Sequence, residues 1–219
     1  MSRRRRRPGL FITLEGLEGA GKSTHVPFLA DLFRRAGRDV VVTREPGGTR
    51  LGDEIREILL FRSLGHPLHP RAELMLIFCS RLQHLEEVIR PALAAGKVVL
   101  CDRFTDSTYA YQGGGHGIDA REIRVLEKWV QAGLRPHRTL LFDLPVTTAL
   151  GRAGRRNRGS GRKADRFESK AVGFFRRVRR AYLDIAAREP RRVRVIDARR
   201  SVKAIQAHLA ELAERERWT

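Results

Sequence analysis

Leu10-Phe11-Ile12-Thr13-Leu14-Glu15 runs directly into Gly16-Leu17-Glu18-Gly19-Ala20-Gly21-Lys22-Ser23, and that junction decides the fold. The first six residues form an apolar run of strand length. The next eight fit G-x-x-x-x-G-K-[ST] in full. Glycines let backbone N–H groups turn inward around phosphate oxygens. Lys22 has the reach for the β- and γ-phosphates, and the Ser23 hydroxyl is a ligand for Mg²⁺. A helical pattern starts at once, over 22–36, and stops at Gly37, so its positive end faces the same anion. Gly16, Leu17, Glu18, Gly19, Ala20, Gly21, Lys22, Ser23 and Thr24 are therefore read as the cradle of a nucleoside triphosphate.

Outward from this loop, strand and helix signals alternate. Strands are expected at 40–43, 98–101, 139–143 and 193–196. Helices are expected at 51–61, where Leu51, Ile55, Ile58 and Leu59 share a face, and at 71–95 after a Pro-containing break. Asp119 and Glu122 open another helix in capping-box fashion, ending near Gly133. A further helix ends near residue 154 and gives way to a Gly- and Arg-rich loop reaching 165. Residues 168–188 read as helix, and Ser201 caps the last one. Strands separated by helices imply an α/β fold with a five-stranded, mainly parallel sheet covered on both faces. With the phosphate loop after the first strand, this is the three-layer P-loop NTPase architecture. One domain spans 10–219, behind a basic tail at 1–9. The motif-bearing segments follow the first four strands, so they should converge at the carboxyl edge of the sheet.

Composition narrows the functional classes. The 219 residues are 42% hydrophobic and carry a formal charge of +19, with only six lysines among 44 basic residues. Arginine is spread along the whole chain, as a compositional bias would spread it. A nucleic-acid-dependent P-loop ATPase would need a second element with interleaved aromatic and basic residues, and none is present; a nucleic-acid partner is not expected. Apolar runs are too short to span a membrane. Arg3–Arg7 leads into Pro8-Gly9 rather than a secretory h-region. Cys79 and Cys101 lack zinc spacing and read as buried thiols of a cytoplasmic protein.

A second motif sits at Val98-Val99-Leu100-Cys101-Asp102-Arg103. An apolar strand ending in Asp supplies a Mg²⁺ contact in P-loop proteins, and Arg103 beside it would meet a phosphate. Together with 11–24, Thr43-Arg44-Glu45-Pro46-Gly47-Gly48-Thr49, Ser107-Thr108, Tyr111-Gln112-Gly113-Gly114-Gly115, Asp165-Arg166 and Ile196-Asp197-Ala198, these residues give the chain a close resemblance to the thymidylate kinases over about 10–215. The resemblance implies transfer of the γ-phosphate of ATP to dTMP, with Mg²⁺, giving dTDP and ADP for dTTP synthesis; another pyrimidine monophosphate acceptor is the alternative. It also implies a homodimer packed through helices near 51–61 and 71–95. By the same resemblance Glu18 would accept from the acceptor 3′-hydroxyl, and Arg56 and Arg103 would hold its phosphate. Arg81 would donate to the thymine 4-carbonyl, Thr108 and Gln112 would complete the polar edge, Tyr111 would underlie the sugar, and Arg152 would lie by the adenine. Lys22 and Arg103 would act on the transferring phosphate.

Two positions depart from the family pattern. Some thymidylate kinases carry an arginine where this chain has Gly19. A transition-state arginine must then come from the segment at about 152–166, the lid of the bacterial variant, with Arg155, Arg156 and Arg158 as candidates. The base-stacking phenylalanine falls at Ile77, with Phe78 next to it. On a helix Ile77 and Arg81 share a face, and Phe78 is rotated by about 100°. Either the base packs on Ile77, or local twist brings Phe78 to it.

Overall fold

The computed structural model describes residues 7–62, 65–160 and 170–218, with 157–160 described by backbone alone. Five strands, β1 (Leu10–Gly16), β2 (Val40–Arg44), β3 (Val98–Asp102), β4 (Arg138–Asp143) and β5 (Val193–Asp197), form one sheet in the order β2-β3-β1-β4-β5. Every pairing is parallel. Register aligns the functional ends: Asp102 lies beside Leu14 on one side and Arg44 on the other.

Parallel strands need crossovers, and helices supply them on both faces. α1 (Lys22–Arg35), α8 (Val172–Arg188) and α9 (Val202–Arg215) cover one face, around Ile12, Leu14, Leu100 and Phe142. α3 (Pro70–His84) and α6 (Ala120–Gln131) cover the other, around Phe11, Val99 and Cys101. The strand alternation thus divides two cores, although the central strands are apolar almost throughout. α2 (Arg50–Leu60) packs on α3 at the β2 side.

Five local features differ from or add to expectation. The helix expected at 71–95 starts at Pro70, widens to a π-turn over Leu85–Ile89 and finishes as α4 (Arg90–Ala94). Pro91, with no N–H and a bulky ring, excludes a regular turn there. The segment after Arg103 folds as α5 (Thr105–Thr108) and a second π-turn at Tyr109–Gly115, packed on α8 so tightly that a Cβ on Gly115 would lie 2.6 Å from the Phe174 ring. α7 (Val146–Ser160) continues through the stretch read as loop after 154. Its buried Ala149 and Ala153 pack on the phosphate loop, which offsets the roughly 1 kcal/mol each glycine costs inside a helix. Finally, Cys101 is buried but Cys79 is exposed on α3. α8 begins at Val172 rather than 168, after an extended Ala171. The first six residues, Asp165-Arg166 and the outer part of the 152–166 segment lie outside the described residues.

Candidate active site

The loop between β1 and α1 holds Gly19 at φ +77° and Gly21 at φ +91°, conformations that cost glycine little. Gly19 answers a second demand as well. A Cβ there would sit 2.1 Å from the Ala149 carbonyl oxygen, because the α7 backbone lies against the loop. No arginine fits at 19 with α7 in this place. Lys22 folds back beneath the loop and its Nζ donates to the carbonyls of Gly16 and Leu17, both at 3.2 Å. Asp102 Oδ1 is 3.9 Å from the same nitrogen. Burial first, and the Arg103 charge next, push the Lys22 amine down to about 8.

Arg103 leaves β3 at φ +72°, an uncommon backbone for a non-glycine residue. Its N–H donates to the Leu14 carbonyl at 3.0 Å. The next N–H, of Phe104, donates to Glu15 Oε1 at 2.7 Å. Glu15 Oε2 accepts from the Ser107 hydroxyl at 2.6 Å and from Tyr182 at 3.0 Å. The Arg103 guanidinium in turn donates to Ser107, Tyr182 and Tyr111 at 3.2, 3.3 and 3.4 Å. Glu15 therefore anchors both the strained turn and the hydroxyls that steer Arg103.

Burial, then the charge of Asp106, push the Glu15 carboxyl from 4.5 up to about 7. The folded protein takes up this proton and the unfolded chain releases it near 4.5. The stabilisation is thus complete below pH 4.5 and is lost as pH rises through about 7. Unfolding Glu15→Gln and wild-type protein in denaturant across this window should show wild type losing, relative to the variant, on the order of 3 kcal/mol. Parallel pH profiles would sink this account.

A cavity of about 480 Å³ runs from this loop to α3. Arg44, Arg56 and Arg103 all reach it, and Arg56 donates to the Pro46 carbonyl at 3.0 Å. Burial and the neighbouring charges of Arg44 and Arg103 lower the Arg56 pKa, as expected of clustered cations. Farther in, the buried Arg81 guanidinium lies between Phe78 and Phe104, 4.9 and 4.8 Å from their ring centres. Its Nε donates to Glu45 at 2.7 Å and Nη2 to Thr108 at 2.9 Å, while Nη1 has no protein partner. His84 Nδ1 braces Glu45 from the other side at 3.1 Å. Ile77, Thr108, Tyr111 and Gln112 line the cavity; Phe78 does not, being packed in the core beneath Arg81.

At the opposite mouth, Arg152 donates to the Ala198 carbonyl at 3.1 Å, beside cavity-lining Arg200 and Val202. Arg156 pairs with Glu18 across the phosphate loop. Burial raises the Glu18 pKa, but Arg103, Arg156 and Lys22 outweigh it and hold the carboxyl below its usual value. Arg155 is exposed and away from the cavity. The Arg158 side chain is outside the described residues. Of the expected cradle residues, Gly16 and Leu17 face inward and hold Lys22, and Glu18 through Thr24 border the cavity.

A divalent ion is testable against these groups. Asp102 Oδ1 is buried without a hydrogen-bond partner, and Ser23 borders the same cavity. No cluster of three His, Cys, Asp or Glu side chains that could hold a metal exists among the described residues. Mg²⁺ does not require one when phosphates complete its shell, so this donor pair fits.

Sequence reasoning assigned no role to Glu15, Glu45, Glu73, His84 or Tyr182. Glu15 carried a signal, an acid at the end of an apolar strand. Tyr182 carried none, since it arrives from a helix 79 positions after Arg103.

A parallel sheet, a lysine-bearing phosphate loop at its carboxyl edge and an arginine-lined cavity continuous with that loop define a P-loop nucleotide kinase. A family profile described as thymidylate kinase matches residues 14–209. The thymidylate kinase of Ectopseudomonas mendocina is 55% identical over 93% of this chain and 94% of its own length. That of Thiobacillus denitrificans is 54% identical over 94% and 97%. The crystal structure of thymidylate kinase from Ehrlichia chaffeensis superposes with a TM-score of 0.73 at 31% identity, covering 94% of this chain and 98% of that one. The chain belongs to the thymidylate kinase family.

Proposed function

We propose that this protein transfers the γ-phosphate of ATP to dTMP, yielding dTDP and ADP. The observation that carries the reading is one continuous cavity joining the phosphate loop to the buried Arg81, with Ile77, Thr108 and Gln112 around it. ATP lies with its phosphates on residues 16–24 and its adenine between Arg152 and the segment after β5. The acceptor phosphate lies among Arg56 and Arg103, its sugar near Glu18 and Tyr111, and its base on Ile77. The uncharged aliphatic Ile77 offers packing without ring stacking, which forgoes about 0.5–1.5 kcal/mol.

The chemistry is positioning and charge neutralisation. The acceptor phosphate oxygen is already anionic near neutral pH, so no strong base is needed. Lys22 meets the donor's terminal phosphates, Arg103 aims the acceptor, and Arg156 on α7 closes over the transferring group. Ser23 and Asp102 would hold Mg²⁺, which supplies further neutralisation of the phosphate oxygens. Residues 152–166 act as the lid, excluding water on closure.

A homodimer follows from the same reading. Leu51 and Phe61 beside α2's ends and Met75 and Leu82 on α3 are 41–59% exposed, an apolar face at the elements named for the dimer. No helix among the described residues is long and apolar enough to cross a membrane, and the reading places the enzyme in the cytoplasm with its substrates.

One experiment tests this set. ADP release is followed with ATP and Mg²⁺ and, separately, dTMP, dUMP, UMP, CMP or single-stranded DNA, with the mass in solution measured alongside. Fastest turnover on dTMP and twice the chain mass are expected. Stimulation by DNA and by no monophosphate would overturn the kinase reading.

A further inference from the structure

Glu73, Ile77 and Arg81 stand at i, i+4 and i+8 on α3, and all three line the cavity on one helix face. The last two have evident uses there. Glu73 does not, yet it is 1% exposed. A buried carboxylate is costly unless something needs its charge. The helix N-terminus offsets part of that cost, since Glu73 lies in the first turn. Hydrogen bonding offsets more of it, and one of those bonds fixes a neighbouring amide. Glu73 Oε1 accepts from Gln112 Nε2 at 2.7 Å, and His116 Nε2 lies 3.5 Å from the same oxygen.

A carboxylate can only accept, so the amide nitrogen of Gln112 is obliged to face it. That leaves the amide oxygen of Gln112 as the group available to a ligand. An unconstrained glutamine could present either end. Beside it, Arg81 Nη1 offers a donor without a protein partner. One donor next to one acceptor complements a 4-oxo group next to N3–H, the edge shared by thymine and uracil. Cytosine presents the reverse, an amino group next to a bare N3.

We infer that Glu73 is a positioning residue for base selection, locking the Gln112 amide so that its oxygen reads N3–H and rejects cytosine. This rests on the dTMP reading above. Arg81 reads position 4, and Glu73, acting through Gln112, makes position 3 an independent check. Sites built to hydrogen-bond one edge discriminate strongly, because the wrong ligand leaves buried groups unpaired.

The test compares kcat/KM for dTMP, dUMP and dCMP in wild type, Glu73→Gln and Glu73→Asp. Glutamine at 73 can donate as well as accept, so the Gln112 amide is free to turn. The dTMP-to-dCMP ratio should then fall at least tenfold, while dTMP-to-dUMP stays within twofold because those bases share the edge. Glu73→Asp keeps an acceptor-only group and should hold the ratio even where overall activity drops. If Glu73→Gln does not fold, Glu73→Met frees the same amide and should give the same fall. An unchanged dTMP-to-dCMP ratio in a folded variant, or equal losses on all three substrates, overturns the inference. A wild-type enzyme with no preference for dTMP would instead overturn the functional reading on which it rests.

Discussion

Lys22→Ala should lower kcat by on the order of 10³-fold or more in a coupled ADP-release assay, with the fold intact. The structure explains why no neighbour can replace the amine. Nζ is held under the loop by the carbonyls of Gly16 and Leu17 and lies beside Asp102, in a niche that is almost sealed. A triphosphate is a stronger anion than these partners, so its binding should raise the Lys22 pKa from about 8 and hold the amine as ammonium. Arg103 is tied to Ser107, Tyr111 and Tyr182 and cannot turn to the loop without leaving them. Turnover within tenfold of wild type in Lys22→Ala would remove the phosphate loop from the mechanism.

Arg156→Ala should reduce kcat by about 10³-fold, with a much smaller change in KM for dTMP. Transition-state arginines are worth roughly 10³–10⁵ in rate. Arg156 borders the cavity and already reaches Glu18 on the loop. That pair is half-exposed, so exchanging it for a phosphate during closure costs little. Arg155→Ala is the internal control: its side chain points away from the cavity, and activity should stay within about threefold. Steady-state kinetics of both variants decide the matter. A larger loss in Arg155→Ala, or none in Arg156→Ala, would assign the role to another residue of the lid.

Much of the candidate site's layout was legible before the fold was known. The loop at 16–23 is a local device whose glycines, lysine and serine must stand at fixed spacing, so a linear pattern records it. Asp102-Arg103 at the end of an apolar strand is local in the same sense. The helix spacing of Ile77 and Arg81 placed both on one face, and the cavity wall carries both, with Phe78 in the core. Reading failed where stability came from packing. The three glycines at 154, 159 and 161 suggested a loop, but Ala149 and Ala153 against the phosphate loop keep α7 helical through Ser160. Cys79 lay in an apolar-looking run, yet a helix face decides exposure, and it lies on the outer one with Met75 and Leu82.

By itself, the sequence determined the phosphate cradle, the alternation of strands and helices, and hence the parallel sheet whose carboxyl edge collects the motifs. These depend on neighbours in the chain, whose geometry backbone chemistry sets at short range. Only the tertiary structure decided why Gly19 admits no arginine, how Glu15 and Tyr182 hold Arg103 in its strained turn, and which end of the Gln112 amide faces Glu73. Each of these arises where elements remote in sequence pack at a particular register. Close packing and the cost of unpaired buried charge then fix a single arrangement, which no periodicity in the chain records.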